Sequence, residues 1–183
     1  METTVNPKIT AMDADPLRQI GYVVEDLDAA VTQWLQLTQR GPWTCFKGAV
    51  LEGRLRDRPV SVTIDVALGY IDGLEIELIA PRSRVSPYHD TNGHLLVGMH
   101  HVAWFTDDLQ ASIRQASQRG LQAMFEAGNP VTRVAYLESS TVPGMRVEYI
   151  QYTADGLAGW QQRVEAARTW NGKDPIQVYD LAG

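Results

Sequence analysis

Four polar residues occupy matched positions in two similar stretches of the sequence. Gln19 opens an apolar stretch that returns with His101 at the same position, and Glu77 is matched by Glu148 in a second pair of stretches. A repeated unit of this size predicts two similar modules packed about a pseudo-twofold axis. Matched polar residues then converge on one place, and one imidazole with three oxygen-bearing side chains is the outline of a metal site.

The repeat can be read directly in the printed sequence. The stretch QIGYVVEDLDAAV at 19–31 returns as HVAWFTDDLQASI at 101–113. Each copy reads as an apolar strand, an acidic turn and a helix. A second pair of stretches, LEIELIAP at 74–81 and MRVEYIQY at 145–152, closes each half of the chain.

The composition excludes several classes of partner. Sixteen basic and twenty-two acidic residues give a net charge of −6, which argues against nucleic acid and anionic membranes as ligands. The single cysteine, Cys45, excludes an internal disulfide framework and suits a reducing compartment. The first fifteen residues have no apolar core, and no apolar run approaches the roughly twenty residues that cross a bilayer. We therefore expect a cytoplasmic protein.

The order of elements predicts an α+β fold. Each module reads as one strand, one helix and three strands, so we expect two βαβββ modules that form a curled mixed sheet around a shared cleft, plus a C-terminal helix. The predicted parts are a flexible lead over 1–16, a first module over 17–81, a connection over 82–98, a second module over 99–153, and a C-terminal helix and tail over 154–183.

Two segments depart from the repeat. His101 follows Gln19 by 82 positions, whereas Glu148 follows Glu77 by 71, so the first module carries about eleven extra residues within 41–73. Extra length beside a site predicts a lid or a substrate wall. The tail has apolar residues at helical spacing over 157–170, and we expect it to cap an open sheet or an oligomer edge, with no catalytic role.

These residues resemble the vicinal oxygen chelate superfamily, which includes glyoxalase I, methylmalonyl-CoA epimerase, extradiol dioxygenases and bleomycin-resistance proteins. The resemblance rests on the paired modules and on a Val-x-Asp-Leu sequence after the first strand, and it covers about 17–152. The sequences GMHHV at 98–102 and EIELIAP at 75–81 look most like the epimerase branch.

The resemblance implies a metal site and its ligands. One ligand comes from the first strand and one from the last strand of each module, which gives Gln19, Glu77, His101 and Glu148 here. The usual first ligand is a histidine, but one branch of glyoxalase I uses the same Gln, Glu, His, Glu set. This set suits a divalent ion such as Zn²⁺, Mn²⁺, Co²⁺ or Ni²⁺.

The activity that the resemblance implies is proton transfer next to a carbonyl, in which a metal stabilises the enolate of a small carbonyl-containing substrate. The protein would be an epimerase, an isomerase or a glyoxalase-like lyase, and we expect a homodimer. Glu148 is the first candidate for the base. Asp57 falls near the acidic residue of the epimerases, and Glu75 shares a strand face with Glu77. His100 is expected to point to the opposite face from His101.

Three alternatives are weighed against this activity. A metal-free binding protein of the bleomycin-resistance type would use the same cleft to sequester a planar ligand. An extradiol dioxygenase needs two histidines and one carboxylate, and Gln19 replaces the first histidine. A glutathione-type glyoxalase I carries an arginine where this chain has Val23.

Overall fold

A computed structural model of the chain describes residues 16–144 and 146–181. The predicted lead over 1–16 lies, apart from Pro16, outside these residues. The elements are β1 (Gln19–Val23), α1 (Leu27–Thr38), β2 (Trp43–Leu55), β3 (Arg58–Ile71), β4 (Leu74–Pro81), β5 (Gly98–Phe105), α2 (Leu109–Ser117), β6 (Leu121–Gly128), β7 (Thr132–Ser139), β8 (Arg146–Tyr152), α3 (Ala154–Arg168) and β9 (Ile176–Asp180).

Eight strands form a closed ring. They follow the order β3-β4-β1-β5-β8-β7-β6-β2, and β2 pairs back onto β3. β1 runs parallel to β4, β5 runs parallel to β8, and β1 and β5 pair antiparallel where the modules meet. This reciprocal pairing is that of two modules related by a pseudo-twofold axis, and it confirms the predicted fold class.

The repeated Asp-Leu pair marks the start of a helix in both modules. The Asp26 carboxylate accepts a hydrogen bond from the backbone of Ala29, and Asp108 does the same for Ala111. Such caps satisfy backbone donors that have no partner inside a helix. α1 and α2 then bury their apolar faces on the outside of the ring, while the largest apolar cluster lines its interior.

The extra residues of the first module lengthen one hairpin. β2 and β3 have 13 and 14 residues, whereas β6 and β7 have 8 each. The added length lets residues 52–55 of β2 pair with residues 125–128 of β6, which closes the ring. The side chains of Leu51 and Ile64 face the interior cavity. The insertion is therefore a wall of the cavity.

The C-terminal segment contains more than the predicted helix. α3 crosses the ring, and its Trp160 packs against Phe105 and Tyr70. β9, which the sequence did not predict, adds in parallel to residues 43–47 of β2. Within the described part of the chain, no helix combines the length and the apolarity needed to cross a membrane.

Candidate metal centre

Four neighbouring strands present the repeated polar residues on the inner face of the ring. Gln19 lies opposite Ala103 of β5, which in turn lies opposite Glu148 of β8. One step along the strands, Gly21 lies opposite both His101 and Glu77. Because side chains alternate between faces along a strand, this register directs all four polar side chains toward the same point.

A single nitrogen of the His101 imidazole faces three oxygen atoms. Its Nε2 lies 3.0 Å from Gln19 Oε1, 3.0 Å from Glu148 Oε2 and 3.4 Å from Glu77 Oε2. One N–H cannot satisfy three acceptors. Although the two carboxylates are within ion-pair distance, both Oε2 atoms are buried and accept no well-aligned hydrogen bond from the described residues.

This arrangement fits a bound cation. One ligand atom from each of Glu77, His101 and Glu148 lies within 4.8 Å of the others. Two buried carboxylate oxygens without donors are costly unless a cation neutralises them. The carboxamide oxygen of Gln19 lies beside the same imidazole nitrogen, so three oxygens and one nitrogen surround the point.

His100 lies on the same side as His101, so the prediction that it points to the opposite face was wrong. The pairing of β1 with β5 shifts here, because Gly21 pairs with His101 but Tyr22 pairs with Met99. His100 is thus the extra residue of a β-bulge, which re-aims side chains locally. Its ring is 2 % exposed and packs edge-on against His101.

The bulge fixes the tautomer of His101. His100 Nε2 lies 3.1 Å from the carbonyl oxygen of Pro87, which can only accept, so Nε2 carries the proton. Burial lowers the pKa of His100 to about 3, so the ring is neutral and its Nδ1 is an acceptor. His101 Nδ1, 3.1 Å away, must then be the donor. The Nε2 lone pair of a neutral His101 is left free for a metal.

The buried carboxylates control the charge of His101. Burial alone lowers the pKa of His101, but the carboxylates of Glu148 and Glu77 raise it to about 9. Burial also raises the pKa of the Glu148 carboxyl. Without a metal, a proton on His101 therefore partly neutralises the centre. A divalent cation would replace that proton.

Comparison with known proteins identifies the family. Residues 18–136 match the family model described as the glyoxalase/bleomycin resistance protein/dioxygenase superfamily. The chain belongs to this superfamily. No curated protein matches the chain in sequence.

Several solved structures have a fold similar to that of this chain. A hypothetical protein from Bacillus halodurans C-125 is 19% identical, with a TM-score of 0.54 over 76% of this chain and 96% of that one. Methylmalonyl-CoA epimerase from Mycobacterium tuberculosis is 19% identical, with a TM-score of 0.52 over 78% of this chain and 91% of that one. A methylmalonyl-CoA epimerase bound to methylmalonyl-CoA and NH4+ is also 19% identical, with a TM-score of 0.52 over 76% and 96%.

A cavity of about 320 Å³ opens from the candidate centre in this superfamily member. Gln19, Glu75, Glu77 and Glu148 lie at its polar end. Most of the remaining wall is apolar and comes from both modules: Phe46, Leu51, Ile64, Val66, Leu68, Val134 and Ile150. A cavity of this size and character suits a small, mainly apolar ligand held by a few polar groups.

Two further acidic residues, Glu75 and Asp57, were predicted as catalytic candidates. The structure places Glu75 at the cavity and Asp57 away from it. Glu75 is fully buried and lines the cavity. Its Oε1 accepts a 2.6 Å hydrogen bond from Gln19 Nε2, and its Oε2 accepts from the Tyr70 hydroxyl. Asp57 lies in the exposed two-residue turn between β2 and β3, with a φ of 64°, and does not line the cavity. The structure therefore does not bring Asp57 to the other candidates.

Several side chains at the centre were missed in the sequence. Tyr88 and Tyr136 are buried, and their hydroxyls lie 3.2 Å apart beside the two histidines. Tyr70 of β3 donates a hydrogen bond to Glu75, and Arg163 of α3 donates one to the Tyr70 hydroxyl. Tyr70 and Tyr136 gave no signal because a tyrosine on a strand is ordinarily a core residue, and Tyr88 lies in the connection between the modules. Arg163 lies in the tail, outside the repeat.

Proposed function

We propose that this protein is a divalent-metal-dependent isomerase or epimerase that moves a proton at the carbon next to a carbonyl group. One observation carries the proposal. His101 Nε2 and the oxygens of Gln19, Glu77 and Glu148 face one point, and the two carboxylate oxygens there accept no well-aligned hydrogen bond from the described residues. A donor set of three oxygens and one imidazole is suited to Zn²⁺, Mn²⁺, Co²⁺ or Ni²⁺.

The four side chains would hold the cation at the polar end of the cavity. A bound divalent ion supplies positive charge beside a substrate carbonyl oxygen, which lowers the cost of the negative charge that develops there when a neighbouring proton leaves. The apolar wall excludes water from the substrate. In a dry site, electrostatic stabilisation of this kind is stronger than in water.

Glu148 is the residue that we propose as the base. It lines the cavity and is 3 % exposed. Its Oε2 accepts no well-aligned hydrogen bond from the described residues, so the carboxylate has a lone pair available to take a proton. Glu75 is less suited to this step, because both of its oxygens already accept hydrogen bonds from Gln19 and Tyr70.

A metal-free binding protein is the second candidate function. Gln19 and His101 are within hydrogen-bond distance of each other, so a protonated centre is partly satisfied without a cation. The wall of the cavity is mostly apolar, which suits a planar ligand. In this case the protein would bind such a ligand with the same affinity before and after treatment with a chelator.

Proton exchange in heavy water tests the enzymatic proposal. We would incubate the metal-loaded protein with 2-substituted acyl thioesters and with cyclic or aromatic ketones, and follow deuterium uptake by mass spectrometry. Glu148→Gln should lower the exchange rate by about 10² or more, the usual contribution of a positioned general base. Glu25→Gln is the matched control, because Glu25 is an exposed residue beyond the end of β1. Exchange that survives both the chelator and Glu148→Gln would contradict the proposal.

A further inference from the structure

A chain of hydrogen bonds runs from helix α3 to the candidate metal centre. Arg163 Nε donates to the Tyr70 hydroxyl at 2.9 Å, and that hydroxyl donates to Glu75 Oε2. Glu75 Oε1 accepts from Gln19 Nε2 at 2.6 Å, and Gln19 Oε1 lies 3.0 Å from His101 Nε2. The chain links residues of α3, β3 and β4 to Gln19 and His101, the two residues that the repeat matches.

We propose that Arg163, Tyr70 and Glu75 are positioning residues that hold the Gln19 carboxamide with its oxygen toward the metal. This inference rests on the proposed function, because it assigns a role to one ligand of the same centre. It extends that function by naming three residues, one of them from α3, on which metal affinity depends.

The direction of each hydrogen bond follows from the chemistry of the groups. A guanidinium can only donate, so the oxygen of Tyr70 accepts from Arg163 and its single proton is free to point at Glu75. Both oxygens of Glu75 accept hydrogen bonds, one from the Tyr70 hydroxyl and one from Gln19, so the end of the carboxamide that faces Glu75 is its NH₂. The carbonyl end of the carboxamide is then the end that faces His101. If the carboxamide turned over, its N–H groups would face the cation, where they cannot act as ligands.

Burial holds the Gln19 carboxamide in this one orientation. Gln19, Tyr70 and Glu75 are 3 %, 5 % and 0 % exposed, so water does not compete for their hydrogen bonds. Among the described residues that line the cavity, Arg163 is the only arginine or lysine. It lies in α3, which follows the residues 18–136 that match the superfamily. The C-terminal helix therefore contributes to the metal centre as well as covering the ring.

Metal affinity of single variants tests the proposal first. We would titrate chelator-treated protein with Co²⁺ and follow the visible absorption of the bound ion. Glu75→Gln and Tyr70→Phe should weaken Co²⁺ binding by about 10- to 100-fold, the usual cost of losing a group that orients a ligand. Arg163→Met should act in the same direction with a smaller effect. Arg168→Met is the matched control on the same helix, since Arg168 is exposed and pairs with Glu165.

A double-mutant cycle separates positioning from a general effect on the centre. In a Gln19→Ala background, Glu75→Gln should change Co²⁺ affinity less than about twofold, because its effect passes through Gln19. An equal loss in both backgrounds would overturn the proposal. If Glu75→Gln does not fold, as judged by circular dichroism, the same cycle is run with Tyr70→Phe.

A measurement without metal gives an independent result. The side-chain NH₂ of Gln19 should show one strongly shifted proton in the ¹⁵N-resolved NMR spectrum of the metal-free protein, and Tyr70→Phe should change that shift. Wild-type protein that binds no Co²⁺ would overturn the metal centre and this role of Gln19 with it. Wild-type protein that binds Co²⁺ while Glu75→Gln and Tyr70→Phe bind equally well would overturn the positioning role alone.

Discussion

Gly21 lies directly opposite His101 in the antiparallel pair of β1 and β5, and a methyl group on Gly21 would lie 2.0 Å from the imidazole Cε1. The glycine is required here by space rather than by backbone conformation. The imidazole occupies the room that a side chain on β1 would fill. The position of the only histidine in the proposed ligand set therefore depends on a residue without a side chain.

Replacing Gly21 with alanine should displace His101. The added methyl cannot be accommodated without moving the ring, so we expect a loss of about 1–3 kcal/mol in the free energy of unfolding. We also expect Co²⁺ affinity to fall by at least about tenfold, as for the loss of ligand orientation. Urea unfolding and Co²⁺ titration would measure the two effects. Ala103→Gly is the control. Ala103 lies opposite Gln19 rather than His101, so this variant should retain the metal. Normal affinity in Gly21→Ala would show that His101 is not held as described.

Replacing His100 with phenylalanine should weaken metal binding while keeping the ring volume. His101 Nδ1 would lose its acceptor, and a buried donor without a partner costs about 1–3 kcal/mol. The affinity for Zn²⁺, measured by competition with a chelator, should fall by about 10- to 100-fold. His94→Asn is the control, because the His94 side chain is 78% exposed. Equal losses in the two variants would mean that His100 does not orient His101.

The metal-free protein should become less stable as the pH rises from 7 to 9. The pKa of His101 is raised from 6.5 to about 9 in the folded state, so the stability due to its charge is complete below 6.5 and is lost as the pH rises through 9. Burial raises the pKa of Glu75 from 4.5 to about 7, so the free energy of unfolding also falls as the pH rises from 4.5 to 7. His100, whose pKa is lowered to about 3, changes stability only below 6.5.

The expected fall between pH 7 and 9 is at most about 3 kcal/mol in the free energy of unfolding. Urea unfolding of metal-free protein at several pH values would measure it. Metal-loaded protein should show a smaller pH dependence, because the cation replaces the proton on His101. His101→Gln should also flatten the curve. A metal-free wild type whose stability is constant or rises over this range would contradict the charge assignment.

The repeat in the sequence was enough to predict the module order and the residues that converge. The acidic turn recurs at the same place in both copies, and there Asp26 and Asp108 each cap a helix. The alternation of Glu75 and Glu77 with apolar neighbours predicted that both share one face of the strand, and both line the cavity. Patterns of this kind are local, so a single sequence carries them.

The remaining features depend on long-range contacts or on small changes of register. A one-residue bulge in β5 turned His100 toward the centre, and no propensity marks such a bulge. Arg163 meets Tyr70 across 93 positions, so its role could not be read from the tail alone. β9 alternates Ile176 and Val178 with polar residues, a weak signal of a strand, but its residues are all exposed. Asp57 was placed by analogy, and the lengthened hairpin carries it to an exposed turn.

The most direct test of the metal centre is the metal content of three proteins purified without chelator. Wild type, His101→Ala and Glu148→Ala would be compared by plasma mass spectrometry, with circular dichroism as the check that each variant is folded. We predict about one divalent ion per wild-type chain and almost none in either folded variant, because each loses one of the converging ligands. Full metal content in both variants, or a wild type that binds no metal even after reconstitution with Zn²⁺, Mn²⁺, Co²⁺ or Ni²⁺, would contradict the proposed centre.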